Sequence, residues 1–226
     1  MPKLLPNITV PYVLVEGGGI FPVRRIYCVG RNYADHAREM GSDPDREPPF
    51  FFSKPNDAVI QGHHVPYPPM TSELHHEVEL VLALASGGRD LTPEAADKTI
   101  FGYAVGVDLT RRDLQAVAKD KGRPWDLAKG FDHSAPIGCI TPREAVEIGN
   151  DTPIRLSVDG VEKQSGTLGQ MSWAPAEIIA KLSAYVELKA GDLIFTGTPS
   201  GVGELNVDNH IVAEVEGLSR LIFTME

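Results

Sequence analysis

One stretch constrains this chain more than any other: His75-His76-Glu77-Val78-Glu79-Leu80-Val81-Leu82-Ala83-Leu84. Val78, Leu80, Leu82 and Leu84 recur every second residue, the period of a β-strand. Successive side chains on a strand point to opposite faces, so Glu77 and Glu79 share the face these four avoid. Two carboxylates side by side make a poor core. At about 4 Å and an effective dielectric of about 20, like charges repel by about 4 kcal/mol. Two arrangements answer this: a solvated strand face, or a cation between the carboxylates.

A second alternating run, Phe101 to Leu109, bears on that choice. One of its faces carries Phe101, Tyr103, Val105, Val107 and Leu109. The other carries only Gly102, Ala104 and Gly106, then Asp108. A strand that is bare on one side lets another segment approach closely. An aspartate ending that bare face is well placed to join Glu77 and Glu79. Three carboxylates without cysteine describe a hard, oxygen-donor site for Mg²⁺, Mn²⁺ or Ca²⁺. His75 and His76 offer a competing zinc reading, which lacks an accompanying cysteine or HExxH helix.

The rest of the composition narrows the class. A chain of 226 residues fits one large domain or two small ones. Its formal charge of -10 argues against a nucleic-acid or anionic-membrane surface. An anionic substrate would therefore need local positive charge. Cys28 and Cys139 are the only cysteines, which suggests a reducing cytoplasm and no disulfide framework. The segment Met1 to Pro6 lacks the apolar core of a signal peptide, and no run approaches a membrane span.

Along the chain, strand-like residues on either side of Gly17-Gly18-Gly19 predict a hairpin. Asn32 reads as the N-cap of a short helix, Tyr33–Met40, that Gly41 stops. On it His36 and Glu39 are neighbours at i and i+3, either a general base with its orienting carboxylate or a surface ion pair. Lys54, two residues after three phenylalanines, could reach the site, but reads first as a snorkelling surface lysine. Thr110 is expected to cap a helix from Arg111 to about Lys121. On it Arg112 and Gln115 could bind a carboxylate or form a solvated face. Lys129 sits among small and aromatic neighbours, where burial and exposure fit equally. Asp159-Gly160 between alternating runs is a hairpin signal. Ala174–Tyr185 is the one long amphipathic helix. The turn Thr196 to Gly203 could present N–H groups and hydroxyls to an anion. Strands outnumber helices and do not alternate with them, which predicts α+β with a mixed or antiparallel sheet.

Taken together these residues resemble the fumarylacetoacetate hydrolase family. The similar stretches are Tyr27 to His36, His75 to Leu80, Gly106 to Gln115 and Gly191 to Pro199, in the family's order. The resemblance implies a mixed β-roll with short peripheral helices, preceded by a hairpin extension over residues 1–20 and with the catalytic domain over 21–226. It implies a homodimer acting on a small keto acid, and one divalent metal, Mg²⁺ or Mn²⁺ with Ca²⁺ as a further option. It makes Glu77, Glu79 and Asp108 the metal ligands, and His36 with Glu39 the water-activating pair. It puts Lys129 among the catalytic residues, and Arg112, Gln115 and Thr198 around the substrate. Pro48 to Pro55, Tyr67 to Pro69 and Phe131 to Gly138 look most like the fumarylpyruvate-cleaving branch of aromatic breakdown.

The activity so implied is hydrolysis of a C–C bond in a 2,4-diketo acid. Its rivals are oxaloacetate decarboxylation or a related keto-acid isomerisation, and a non-enzymatic keto-acid-binding protein.

Overall fold

The computed structural model describes residues 9–33 and 48–226. The alternation around Glu79 does make a strand, Val78–Leu84, and every residue of it is buried. It lies inside a six-stranded sheet. From edge to edge this runs Thr141–Pro142, Ile100–Val107, Val78–Leu84, Asp192–Phe195, Arg25–Gly30 and Phe50–Lys54. Val78–Leu84 is antiparallel to both neighbours, whereas Asp192–Phe195 runs parallel to Arg25–Gly30. The sheet is therefore mixed, one of the two arrangements expected of an α+β chain.

Both faces of this sheet are covered, each by the residues its alternation selects. Leu80, Leu82, Leu84, Val105 and Val107 pack with Ile154, Leu156, Ile211, Ala213 and Phe223. The latter come from a second sheet of five strands, ordered Val161–Thr167, Pro153–Val158, His210–Val215, Leu221–Met225 and His64–Val65. On the opposite face Val81, Ala83 and Ala104 pack with Ile26, Cys28, Leu193 and Phe195. Val13 and Phe21 join them from a hairpin in which Tyr12–Leu14 pairs with Ile20–Pro22. The bare face of Ile100–Val107 is what lets this layer close. A Cβ on Gly106 would lie 2.6 Å from the Phe195 ring, and one on Gly102 would lie 2.4 Å from the Thr141 carbonyl oxygen.

Two local expectations are corrected. The strand does not run through from His75: it breaks at Glu77. Leu74–His76 instead forms a separate three-stranded sheet between Thr110–Arg111 and Gly203–Leu205. Thr110 accordingly does not cap a helix. Its backbone is extended and paired with His75, its hydroxyl donates to the Asp108 carbonyl, and the helix begins only at Arg112 (Arg112–Asp120) without a side-chain cap. Elsewhere the local chemistry acts as expected. Asp159 and Gly160 take φ of 51° and 77° in the hairpin turn, and Pro175–Tyr185 is the longest described helix. The other described α-helices, Pro93–Asp97 and Asp126–Lys129, are short. No helix among the described residues is long and apolar enough to cross a membrane.

Candidate active site

The change of sheet at Glu77 creates the site. Glu79 lies opposite Gly106 in the central ladder, and the Asp108 N–H donates to the Glu77 carbonyl at 2.9 Å. One oxygen from each of Glu77, Glu79 and Asp108 can be chosen so that all lie within 4.8 Å of one another. All three side chains are buried, so the solvated-face reading is excluded. A third segment closes on them: the Gly197 N–H donates to Glu79 Oε2 at 2.7 Å. Gly197 has φ of 96°, and a Cβ there would lie 2.7 Å from the Asn32 Cβ. The Asn32 amide holds this turn by donating to the Thr196 and Trp173 carbonyls and accepting from the Trp173 N–H. Asn32 is thus a tether between segments. Beyond Tyr33 the expected helix, with His36 and Glu39, lies outside the described residues.

Cations balance the carboxylates. The Lys129 ammonium donates to Glu77 Oε2 and to Asp108 Oδ2, each at 2.7 Å. Lys54 Nζ lies 2.8 Å from Asp108 Oδ1 and also donates to the Leu109 and Lys129 carbonyls. Lys54 is 3% exposed, so of its two readings the snorkelling one fails and the site-reaching one holds; the sheet edge carries it inward. Arg112 spends its fork on Glu77 Oε1 at 2.5 Å, Gln115 Oε1 at 2.6 Å and His75 Nδ1 at 3.2 Å. Three cations thus face three carboxylates. Burial, followed by Asp108 and Glu77, pushes the Glu79 carboxyl well above its usual range. Burial works against the Lys129 charge, but Asp108 and Glu77 outweigh it and hold the ammonium above the ordinary lysine value.

The zinc reading of the two histidines fails on their contacts. His75 receives Arg112 at Nδ1, and its Nε2 lies 2.9 Å from Glu73. His76 Nδ1 lies 2.9 Å from Gln164 Oε1, and burial lowers the His76 pKa. Gln164 is fully buried and was not singled out in the sequence. Its oxygen also accepts from the Val78 N–H, while its nitrogen donates to the Thr198 hydroxyl at 2.7 Å and to the Pro199 carbonyl. Because Thr198 Oγ1 already accepts a bond, its own hydrogen is free to point at a ligand.

Glu77, Glu79, Arg112, Gln115, Lys129 and Thr198 line one cleft. Six of the nine expected site residues therefore share a cavity. Asp108 is reached just behind it, and the remaining two are His36 and Glu39. The cleft is further walled by Phe50, Phe52 and Trp125, and Arg31 and Lys119 also border it. The only hint of this wall in the sequence is the aromatic run at Phe50.

The model for the fumarylacetoacetate (FAA) hydrolase C-terminal family matches residues 25–226. The chain belongs to this family of enzymes. It is 43% identical over 189 residues to a fumarylpyruvate hydrolase of Ralstonia sp, covering 82% of this chain and 98% of that protein. It is 40% identical to an oxaloacetate tautomerase of Escherichia coli, covering 88% and 91%. Among solved structures, a fumarylpyruvate hydrolase from Pseudomonas aeruginosa in complex with Mn²⁺ and pyruvate superposes with a TM-score of 0.96. The two are 45% identical, and the match covers 99% of both chains.

Proposed function

We propose that the chain is a divalent-metal-dependent hydrolase that cleaves a C–C bond of 2,4-diketo acids, with fumarylpyruvate split to fumarate and pyruvate. The carrying observation is the buried trio Glu77, Glu79 and Asp108, whose oxygens come within 4.8 Å of one another. An all-oxygen, anionic donor set of this size suits Mg²⁺ or Mn²⁺. The Mn²⁺ and pyruvate of the Pseudomonas aeruginosa protein agree with that fit. Glu77, Glu79 and Asp108 would hold the ion, which would supply Lewis acidity worth several kcal/mol.

The remaining work falls to the chain's own groups. Arg112 and Gln115 would orient the substrate carboxylate. Lys129, kept charged by its carboxylate neighbours, would stabilise negative charge on the departing fragment. Thr198 would donate its free hydrogen. His36, oriented by Glu39, would take a proton from the water that attacks the distal carbonyl. The C–C bond then breaks, its electron pair leaves with the pyruvate enolate, and a proton completes pyruvate. Two free cysteines, one buried, fit a reducing cytoplasm. A homodimer and a place in aromatic breakdown belong to the same proposal and rest on family likeness.

A second reading is decarboxylation of oxaloacetate, named for a relative from Dictyostelium discoideum, in which the C–C bond to the departing CO2 breaks without an attacking water. His36→Ala separates the two when Mn²⁺-loaded protein is assayed on fumarylpyruvate and oxaloacetate. Loss of a general base is expected to slow diketo-acid cleavage by about 10²–10⁴-fold. Turnover of oxaloacetate should fall much less. Wild-type rates of fumarylpyruvate cleavage in the variant would defeat the hydrolytic assignment.

A further inference from the structure

The rim of the cleft differs chemically from its floor. On the floor, each cation already faces a carboxylate. At the rim, Arg31 and Lys119 border the same cavity, and neither forms an ion pair with a carboxylate among the described residues. Arg31 holds a left-handed backbone, φ 61°, which an arginine adopts at a cost. Lys119 is exposed, yet its ammonium is drawn below the ordinary lysine value by desolvation and then by Arg112 and Arg31. Among the described residues, positive charge without a carboxylate partner is thus concentrated at one mouth of a protein whose net charge is -10.

Between rim and floor the walls are flat and aromatic. Phe50 meets Trp125 edge-on at 5.0 Å, Phe52 lies 5.9 Å from the same ring, and Lys119 stands 5.3 Å from its centroid. Arg112, Gln115 and Lys119 sit at i, i+3 and i+7 of one helix, hence on one face. At 1.5 Å per residue the ladder from Arg112 to Lys119 spans roughly 10 Å. That is the scale of a short extended dicarboxylate.

We propose that Arg31 and Lys119 form a subsite for a second carboxylate, at the far end of a flat, unsaturated acyl chain that lies between Phe50, Phe52 and Trp125. The preferred substrate class is then a dianionic acylpyruvate, because an acyl group that ends in a neutral methyl gains no charge-assisted bond at this rim. This subsite rests on the diketo-acid hydrolase reading.

The test uses the Mn²⁺-loaded full chain with fumarylpyruvate, which has the distal carboxylate, and acetylpyruvate, which lacks it. The ratio of kcat/KM for the two is measured in wild type, Lys119→Gln, Lys119→Arg and Arg31→Gln. Wild type should prefer fumarylpyruvate. The ratio should drop about tenfold in Lys119→Gln and in Arg31→Gln, mainly through KM, as expected for a lost charge-assisted bond. Lys119→Arg should restore most of it. An unchanged ratio, or equal losses on both substrates in Lys119→Gln and Arg31→Gln, overturns the subsite and leaves the hydrolase reading standing. Wild type that turns over neither diketo acid overturns the hydrolase reading itself.

Discussion

Lys54 and Asp108 show how a side chain acquires its role from its surroundings. Asp108 has two oxygens, with Lys129 on one and Lys54 on the other, and all three groups are buried. Removing one partner of a buried pair leaves charge uncompensated, at a cost of roughly 3–5 kcal/mol. Lys129 still holds Asp108 Oδ2, so Lys54→Met is expected near the low end, about 3 kcal/mol. Urea unfolding of the metal-free protein should show a lower midpoint at unchanged slope. An unmoved midpoint would mean that the pair contributes nothing. The three carboxylates were legible because alternation alone puts Glu77 and Glu79 on one face and Asp108 at the end of a bare strand. Gln164 was not legible, since its partners lie 34 to 88 residues away and its neighbours Lys163 and Ser165 are exposed.

The sheet around Glu79 shows what periodicity can and cannot reveal at the level of elements. The bare face of Ile100–Val107 was readable because Gly102, Ala104 and Gly106 leave only one use for that side: close approach. The break at Glu77 was not. Residues on either side of it keep the same alternation, and the switch is set by pairing with Thr110–Arg111 and Gly203–Leu205, which are distant in the chain. The two glycines should also differ in tolerance. An added methyl at Gly106 meets a Phe195 ring edge and a Val81 methyl, both side chains that can shift. At Gly102 it meets backbone, the Thr141 carbonyl oxygen. Overpacking costs about 1–3 kcal/mol, partly offset by about 0.4–1 kcal/mol from a stiffer unfolded chain. Gly102→Ala is therefore expected to lower Tm clearly more than Gly106→Ala in thermal melts. The reverse order would mean that the edge strand yields more easily than the Phe195 layer.

At the scale of the whole molecule, a net charge of -10 and a buried carboxylate trio both favour uptake of a divalent cation. Glu79 is the pivot. Its pKa in the fold lies above that of the unfolded chain, first because it is buried and then because Asp108 and Glu77 adjoin it. Below about pH 4.3 the carboxyl is protonated in both states and costs nothing; as pH rises through the raised folded value, the metal-free protein loses that stability. Metal binding needs the deprotonated carboxylate, so the ion binds better as pH rises. The two effects run in opposite directions: rising pH weakens the metal-free fold and strengthens its hold on the ion. Mn²⁺ at about 100 times its Kd should add about 2.7 kcal/mol. For a chain of this size that raises Tm by about 5–10 °C over the chelator-treated protein. At one fixed Mn²⁺ concentration the gain should be larger at pH 8 than at pH 6 and should shrink in Glu79→Gln. Scanning calorimetry at both pH values with Mn²⁺ or EDTA decides it. An equal gain at the two pH values would remove Glu79 as the titrating ligand, and no gain at either would remove the metal.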